Sequence, residues 1–164
     1  MPGERPRAVF IEHSFPDITD WGYAVTSDIT YEYNCIAWAA GDDTRWWWPL
    51  PEDGSAYWPP EVPRELTLEA FAAAYAALGY VVCEDEEHEA GFEKIAIFTD
   101  PTTGEPTHAA RQLDETSWTS KVGGLQDIRH PLRALEGAEY GRVVLLMKRA
   151  LGGQPPPDPA NLVA

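Results

Sequence analysis

Hydrophobic residues recur at helical spacing along one clear stretch of the chain, residues 65–78. Apolar positions three and four residues apart share one side of a helix, so this pattern predicts an amphipathic helix packed on a core. Thr67 is placed to cap its first turn, and Gly79 is placed to end it. The predicted core positions are Leu68, Phe71, Ala72, Tyr75 and Leu78.

A second, shorter helix is predicted to begin at Cys35 and to end near Gly41. It consists of small and apolar residues, and a polar, strand-like stretch at residues 28–33 leads into it. The thiol is therefore expected at a helix N-terminus, where unpaired N–H groups and the helix dipole stabilise a thiolate.

Alternating apolar residues and turn signals predict five strands in the remainder of the chain. Upstream of the Cys35 helix, residues 8–11 are expected to form an edge strand or a packed N-terminal arm, and residues 15–21 a loop. A short helix is expected at residues 130–135, ended by Gly137. The predicted strands cover residues 80–83, 92–99, 107–113, 117–122 and 142–148, and the third and fourth form a hairpin.

Helices followed by mostly antiparallel strands define an α+β fold. We expect one domain over residues 1–150 and an extended, proline-rich tail over residues 151–164. Residues 42–63 are too rich in proline for regular structure and too aromatic for disorder, so they are predicted to be an ordered loop that borders Cys35. The tryptophans of this loop, which are expected to serve both the core and the wall of a groove, are Trp46, Trp47, Trp48 and Trp58.

The chain is strongly acidic, with 27 Asp and Glu against 12 Lys and Arg and a formal net charge of −15. Such a field repels nucleic acids and anionic membranes. It favours solubility, which is what acidity alone more often means, and it suits a basic peptide or protein as the expected substrate or partner. The composition does not predict an oligomeric state. The N-terminus lacks the apolar run of a signal peptide and no segment is apolar enough to cross a membrane, which predicts a cytoplasmic protein with Cys35 and Cys83 as free thiols.

Cys35 and His108 are the candidate catalytic pair. A cysteine at the start of a helix and a histidine on a later strand suit a thiol nucleophile with an imidazole base. Each residue also has a purely structural interpretation, because free cysteines are commonly buried and a single histidine on a strand often only packs. The paired short spacings of a metal site are missing, so neither a metal nor a cofactor is expected.

A third polar group is expected to orient His108, because a catalytic imidazole needs a partner on its second ring nitrogen. Asp127 is the first choice, ahead of Gln112 and Thr119. Gln112 lies on the same strand as His108 and shares its face, since residues four apart on a strand point the same way.

The returning strand of the hairpin is predicted to place Thr119 and Lys121 on the face of His108, and Ser120 on the other. Lys121 can only donate, so it is expected to bind substrate or to lower the pKa of the thiol. The side chain of Asn34, with the backbone N–H of the nucleophile, is expected to stabilise an oxyanion. The predicted substrate-binding residues also include Trp38, Trp46 and Trp48.

Three segments resemble a group of uncharacterised bacterial papain-like proteins. They are residues 34–39 (Asn-Cys-Ile-Ala-Trp-Ala), residues 108–112 (His-Ala-Ala-Arg-Gln) and residues 118–123 (Trp-Thr-Ser-Lys-Val-Gly). That group shares an Asn-Cys-x-Ala-Tyr/Trp-Ala start, then a His strand and a Trp-Ser/Thr-x-Lys-x-Gly strand. The pattern is also distantly similar to NlpC-type and transglutaminase-like folds, and the resemblance covers roughly residues 31–146.

The resemblance implies a papain-like α+β domain with an N-terminal Cys helix packed on an antiparallel sheet. It implies a cysteine-dependent hydrolase or acyltransferase acting on an amide or peptide-type bond through a Cys35–His108 dyad. Because some members of that superfamily are inactive binding domains, the alternative is a catalytically inactive, acidic, tryptophan-rich module that binds a protein partner. A catalytic Cys35 is expected to alkylate quickly below neutral pH, and a merely buried one is not.

Overall fold

The computed structural model describes residues 7–151, and an antiparallel sheet forms its centre. The strands are β1 (Ala24–Val25), β2 (Val81–Cys83), β3 (Phe92–Thr99), β4 (Pro106–Gln112), β5 (Trp118–Lys121), β6 (Asp127–His130) and β7 (Arg142–Ala150). Their order across the sheet is β1-β6-β5-β4-β3-β7-β2, and every neighbouring pair is antiparallel. The predicted combination of helices with an antiparallel sheet is confirmed.

Short helices cover both faces of this sheet. Within the described residues they are α1 (Val9–Ser14), α2 (Ile18–Trp21), α3 (Cys35–Ala39), α4 (Leu68–Ala76) and a 3₁₀-helix (Leu132–Leu135). Side chains alternate along β3, so Ile97 joins one buried cluster and its neighbour Phe98 joins the other. The first cluster packs between the sheet and α3 and α4, and the second between the sheet and α1, α2 and the 3₁₀-helix.

The two predicted helices on either side of the central loop begin where expected, α3 at Cys35 and α4 directly after its predicted cap. Asn34 caps α3, and Thr67 caps α4 through its hydroxyl, which accepts from Ala70 N–H. The buried side of α4 agrees with the predicted one at Phe71 and Tyr75 and differs from it at the other positions. Its fully buried residues are Ala70, Phe71, Ala74 and Tyr75, while Leu68, Ala72 and Leu78 are only partly buried.

The loop at residues 42–63 contains neither a helix nor a named strand, as predicted. Its two arms are joined by two backbone hydrogen bonds. The N–H of Tyr57 donates to the carbonyl of Trp46 at 2.8 Å, and the carbonyl of Tyr57 accepts from the N–H of Trp48 at 2.9 Å. Trp48 and Trp58 pack on Phe71 of α4, with ring centroids 5.3 and 5.1 Å away. The loop is thus part of the first core cluster.

Several predicted elements differ from the observed ones. Residues 8–11 belong largely to α1 instead of a strand or an arm, and α2 lies within the predicted loop at residues 15–21. Residues 28–33 form no strand. β6 was not predicted, because its sequence Asp-Ile-Arg-His contains a single aliphatic residue, and the helix expected at residues 130–135 is the shorter 3₁₀-helix.

From position 152 onward, the predicted tail at residues 151–164 lies outside the described residues.

The turn before β7 requires a glycine. Gly141 has a positive φ of 77°, and a Cβ there would lie 1.9 Å from the carbonyl oxygen of Thr99. A glycine is therefore needed for the turn that carries the preceding residue, Tyr140, toward the sheet.

Candidate functional site

Cys35 is the first residue of α3 and lines a cavity of about 420 Å³. The loop at residues 42–63 supplies one wall, as predicted for a loop that borders this cysteine. Thr107 of β4, Gly123 after β5 and Tyr140 before β7 supply the other. The thiol-bearing residue itself is only 7% exposed. The residues that line the cavity include Trp46, Trp48, Leu50, Thr107, Gly123 and Tyr140.

Asn34 fixes the start of α3 and ties it to the loop. Its Oδ1 accepts from the backbone N–H groups of Ala37 and Trp47, both at 3.1 Å. Its Nδ2 donates to the carbonyl of Trp47 at 2.8 Å. Asn34 borders the cavity. These contacts cap the helix and hold the loop with Oδ1 and one of the two amide N–H donors, and the oxyanion role of this side chain stays a prediction.

The electrostatics of Cys35 are dominated by burial. Burial raises the pKa of its thiol to about 11, although backbone hydrogen-bonding groups of Ala109 and Ile36 and the charge of Lys121 act in the opposite direction. The resting side chain is therefore a protonated thiol. This differs from the expected low-pKa cysteine, because α3 has only five residues and its dipole acts on a desolvated sulfur.

His108 lies on β4 and is completely buried. Its ring stacks on that of Tyr140, with centroids 4.0 Å apart and an angle of 9° between planes, and it meets Phe98 edge-on at 5.1 Å. Burial holds the pKa of His108 well below its usual value, so the imidazole is neutral near pH 7. Its Nε2 lies 2.9 Å from Ser120 Oγ, whereas its Nδ1 has no hydrogen-bond partner.

The proton positions on His108 follow from a chain of hydrogen bonds that ends at His130. The Nδ1 of His130 lies 2.7 Å from the carbonyl of Pro131, which can only accept, so that nitrogen carries a proton. Burial lowers the pKa of His130 to about 4, so its ring is neutral near pH 7 and its Nε2 must be an acceptor.

Ser120 Oγ lies 2.7 Å from His130 Nε2 and therefore donates its single hydroxyl proton there. The same oxygen then has only lone pairs to offer His108, so His108 Nε2 donates to it. This network assigns the Nε2–H tautomer to His108. Its buried, unpartnered Nδ1 is consequently a free lone pair, the form in which an imidazole accepts a proton.

Cys35 and His108 approach β4 from different sides. Cys35 packs in the first core cluster with Ala109, while the neighbours of His108, Phe98 and Tyr140, belong to the second. Because His108 Nδ1 is unpartnered, the thiol does not hydrogen-bond to it in this conformation. Tyr140 links the two residues, since it lines the Cys35 cavity and stacks on His108.

The group that holds His108 is Ser120 instead of the predicted candidates. Asp127 Oδ2 accepts from the hydroxyl of Tyr33 at 2.7 Å, Gln112 donates to the carbonyl of Glu86 at 2.7 Å, and Thr119 accepts from the indole of Trp38 at 3.0 Å. In the register of the hairpin, Gln112 lies opposite Trp118, and Arg111 lies opposite Thr119. Opposed residues share a face, so Ser120 lies on the face of His108 and Thr119 and Lys121 lie on the other, the reverse of the prediction.

Lys121 is a buried cation beside the cavity. Its ammonium donates to the carbonyls of Thr30 and Gly123, each at 2.8 Å, and to that of Leu125. Burial lowers its pKa, while the charges of Asp127 and Cys35 oppose that effect. Three carbonyl partners hold the lysine in place, so it fixes the turn at Gly123, which lines the cavity, and favours negative charge on the sulfur.

The predicted substrate-binding residues are thus divided. Trp46 and Trp48 line the cavity with Cys35. Trp38 instead packs on Tyr33, with ring centroids 5.3 Å apart, and bonds to Thr119.

The residues missed by sequence reasoning are Tyr140, Ser120 and His130. The last two lie one and two strands away from His108, on β5 and β6. Only the pattern of His, Ser and His on three adjacent strands, with a correct register, could have indicated them.

The described residues contain neither a candidate metal centre nor a candidate membrane span. In residues 7–151, no three His, Cys, Asp or Glu side chains cluster closely enough to hold a metal ion. The same part of the chain contains no helix of sufficient length and apolar character to span a bilayer.

The fold and the site define a mixed helix and antiparallel-sheet domain with a buried thiol at an aromatic cavity. The chain belongs to a family described as Domain of unknown function (DUF7689), whose family model matches residues 24–148. The match begins at β1 and ends within β7, so it includes the cavity, Cys35, His108, Ser120 and His130. No curated protein and no solved structure matches the chain.

Proposed function

We propose that this domain is a papain-like, cysteine-dependent hydrolase or acyltransferase that acts on an amide or peptide-type bond. Cys35 is the nucleophile and His108 is the base. The observation that carries the proposal is the buried lone pair on His108 Nδ1, whose partner nitrogen is held by Ser120 and His130. Buried polar atoms are rarely left unpartnered, and a base fixed through its second nitrogen is the usual arrangement beside a thiol or hydroxyl nucleophile.

The resting site holds a neutral thiol and a neutral imidazole, so the reaction begins with a proton transfer. Because Cys35 and His108 lie on different sides of β4, the proposal requires the Tyr140 ring, which stacks on His108 and lines the cavity, to move when substrate enters, so that His108 Nδ1 accepts the proton of Cys35. The sulfur attacks the carbonyl carbon, and the backbone N–H groups around the sulfur, including that of Ala109, are the donors available to the oxyanion. The bond to the leaving amine then breaks, and that amine takes the proton from His108. Water or a second amine resolves the thioester.

The second candidate is a binding module without catalytic activity. It is favoured by the high pKa of the Cys35 thiol and by the Tyr140 ring that lies against the imidazole. In that case the cavity takes an apolar group of a protein partner between Trp46 and Trp48. Both candidates use the same cavity, and they differ in whether His108 accepts the proton of Cys35.

The deciding experiment is the pH dependence of Cys35 labelling by a peptide-like vinyl sulfone in a Cys83→Ser background. A lone thiol with a pKa of about 11 labels about tenfold faster for each pH unit throughout the neutral range. If His108 accepts the proton, the rate instead levels off once the imidazole is neutral. We expect that plateau, and we expect His108→Asn to remove it and to slow labelling about a hundredfold near neutral pH.

The exposed His13 on α1 supplies the matched control, since His13→Asn should keep the plateau. Unfolding midpoints of all variants show whether each remains folded. A rate that rises without a plateau in the Cys83→Ser protein, where His108 is intact, contradicts the enzyme and supports the binding module. Because that arm leaves the buried histidine in place, it does not depend on whether His108→Asn folds.

A further inference from the structure

A second cavity adjoins the Cys35 cavity. Trp46, Ser55 and Ala56 line both, so the indole and this short stretch of the loop form a shared rim. The second cavity also measures about 420 Å³, and two arginines, Arg45 and Arg64, lie in its wall. The first cavity is mostly apolar and aromatic, whereas the second offers guanidinium groups.

Arg45 is held in place but keeps donors for a ligand. Its guanidinium lies 3.5 Å from the centre of the Tyr57 ring, and its Nε donates to Asp42 at 2.9 Å. That bond uses one of the five N–H donors of the group. Asp42 also accepts from Thr44 and Trp47, and these bonds outweigh its burial and lower the pKa of the carboxyl to about 2. The carboxylate therefore stays ionised and orients Arg45 throughout the physiological range.

Arg64 is the second basic group of this wall. One terminal nitrogen donates to the carbonyl of Pro49 at 3.3 Å, which is long for a hydrogen bond. The other N–H donors of the guanidinium take no part in this bond. Among residues 7–151, no acidic side chain forms a salt bridge with Arg64. Pro49 directly follows Trp48 of the Cys35 cavity. Arg64, which lines the second cavity, is therefore hydrogen-bonded to the backbone next to the first.

We propose that the two cavities form one site for a carboxylate-bearing peptide or acyl compound. Its apolar group lies beside Cys35 between Trp46 and Trp48, and its carboxylate binds Arg45 and Arg64. Guanidinium groups bind carboxylates through paired, charge-assisted hydrogen bonds, and the aromatic wall suits an aliphatic or aromatic group. This assignment names the substrate class of the proposed enzyme and therefore rests on the proposed function.

The net charge of the whole chain limits where an anion can bind. With a net charge of −15, the domain repels anions at long range, so a carboxylate binds only where local guanidinium groups overcome that field. Salt screens the long-range repulsion more than it screens the contacts inside a cavity. Moderate salt should therefore weaken the binding of an acidic peptide less than it weakens an exposed ion pair.

The test measures binding in a Cys35→Ala variant, so that no chemistry is required. The probes are acetyl-Leu-Gly-Glu-amide, its Gln counterpart and its Lys counterpart, followed by tryptophan fluorescence because Trp46 and Trp48 line the cavity. We expect the Glu peptide to bind about tenfold more tightly than the Gln peptide, and the Lys peptide to bind most weakly. Arg45→Gln and Arg64→Gln should each reduce the preference for Glu, and the double variant should abolish it.

Arg142→Gln, a change of an exposed arginine on β7, is the matched control and should keep the preference. Equal affinity for the Glu and Gln peptides, no binding by any of the three, or an unchanged preference in the double variant overturns the assignment. These outcomes are separate from the labelling result. A protein that shows the His108-dependent plateau but no preference for Glu keeps the enzyme and loses the carboxylate site, and the reverse result keeps the site alone.

Discussion

The proton on the His108 ring is set by a residue two strands away. His130 donates to a backbone carbonyl through Nδ1, so its Nε2 accepts from Ser120, and Ser120 in turn accepts from His108. Each step follows because a carbonyl has no proton to give and a hydroxyl has only one. The two buried histidines thus act in series, and burial keeps both of them neutral near pH 7.

Replacing His130 should therefore move the proton on His108. In His130→Phe, the Ser120 hydroxyl loses its acceptor and turns to donate to His108 Nε2, which transfers the ring proton to Nδ1. We expect the labelling plateau of Cys35 to disappear and the rate near neutral pH to fall about a hundredfold. Nitrogen-15 chemical shifts of the His108 ring report the tautomer directly, and they distinguish this effect from a general loss of structure.

The exposed His13 again provides a control, because His13→Phe adds the same ring at a solvent-exposed position. The tautomer assignment is wrong if His108 keeps its proton on Nε2 in the folded His130→Phe variant. It is also wrong if the unchanged protein already shows the Nδ1–H form.

At the scale of elements, the start of α3 depends on one side chain that serves two segments. Asn34 accepts from Ala37 and Trp47 N–H groups and donates to the Trp47 carbonyl, so it both caps the helix and holds the tryptophan loop. Thr67, by comparison, makes a single capping bond, to Ala70. Losing Asn34 leaves buried backbone groups of two segments without partners, whereas losing Thr67 affects one helix end.

We expect Asn34→Ala to lower the free energy of unfolding by about 2–3 kcal/mol and Thr67→Ala by about 1 kcal/mol. Chemical denaturation measures both values. Limited proteolysis should also show faster cleavage between residues 42 and 63 in Asn34→Ala alone, because only that change releases the loop. Equal destabilisation by the two substitutions, without a change in cleavage of the loop, contradicts the double role of Asn34.

These elements also show what a sequence can predict and what it cannot. The cap at Thr67, the start of α3 at Cys35 and the strand at Phe92–Thr99 were predicted, because capping and alternation are local signals. β6 was not, since its single aliphatic residue, Ile128, gives no alternation. The face of Ser120 was assigned wrongly because a shift of one residue in hairpin register reverses every side chain of the strand.

At the scale of the molecule, the site lies where two core clusters meet across β4. Cys35 belongs to one cluster and the surroundings of His108 to the other, so the catalytic proposal requires both layers to be assembled. Tyr140 joins them because it packs on the second cluster and lines the cavity of the first. Such contacts between distant segments carry no local pattern, which explains why Tyr140 could not be found from the sequence.

Two neutral histidines inside the fold make its stability depend on pH. Burial holds the pKa of His108 well below its usual value and lowers that of His130 to about 4. When the pH falls below about 6.5, histidines of the unfolded chain bind protons that the folded chain does not, so stability present at neutral pH is lost as the solution is acidified. Asp127 has the opposite effect on the pH dependence of stability. Burial raises the pKa of its carboxyl, so its contribution to the free energy of unfolding falls as the pH rises.

We therefore expect the free energy of unfolding to fall on acidification from about pH 7 to about pH 4, with His130 contributing about 3 kcal/mol of the loss. Urea denaturation at several pH values measures this slope. His130→Gln removes the titrating ring, so the slope should become shallower by that amount even if the variant is less stable at neutral pH. His13→Gln, which changes an exposed histidine, should leave the slope as it is. A slope that His130→Gln does not alter would mean that the ring is protonated, or open to water, in the folded state, and the tautomer assigned to His108 would then lose its basis.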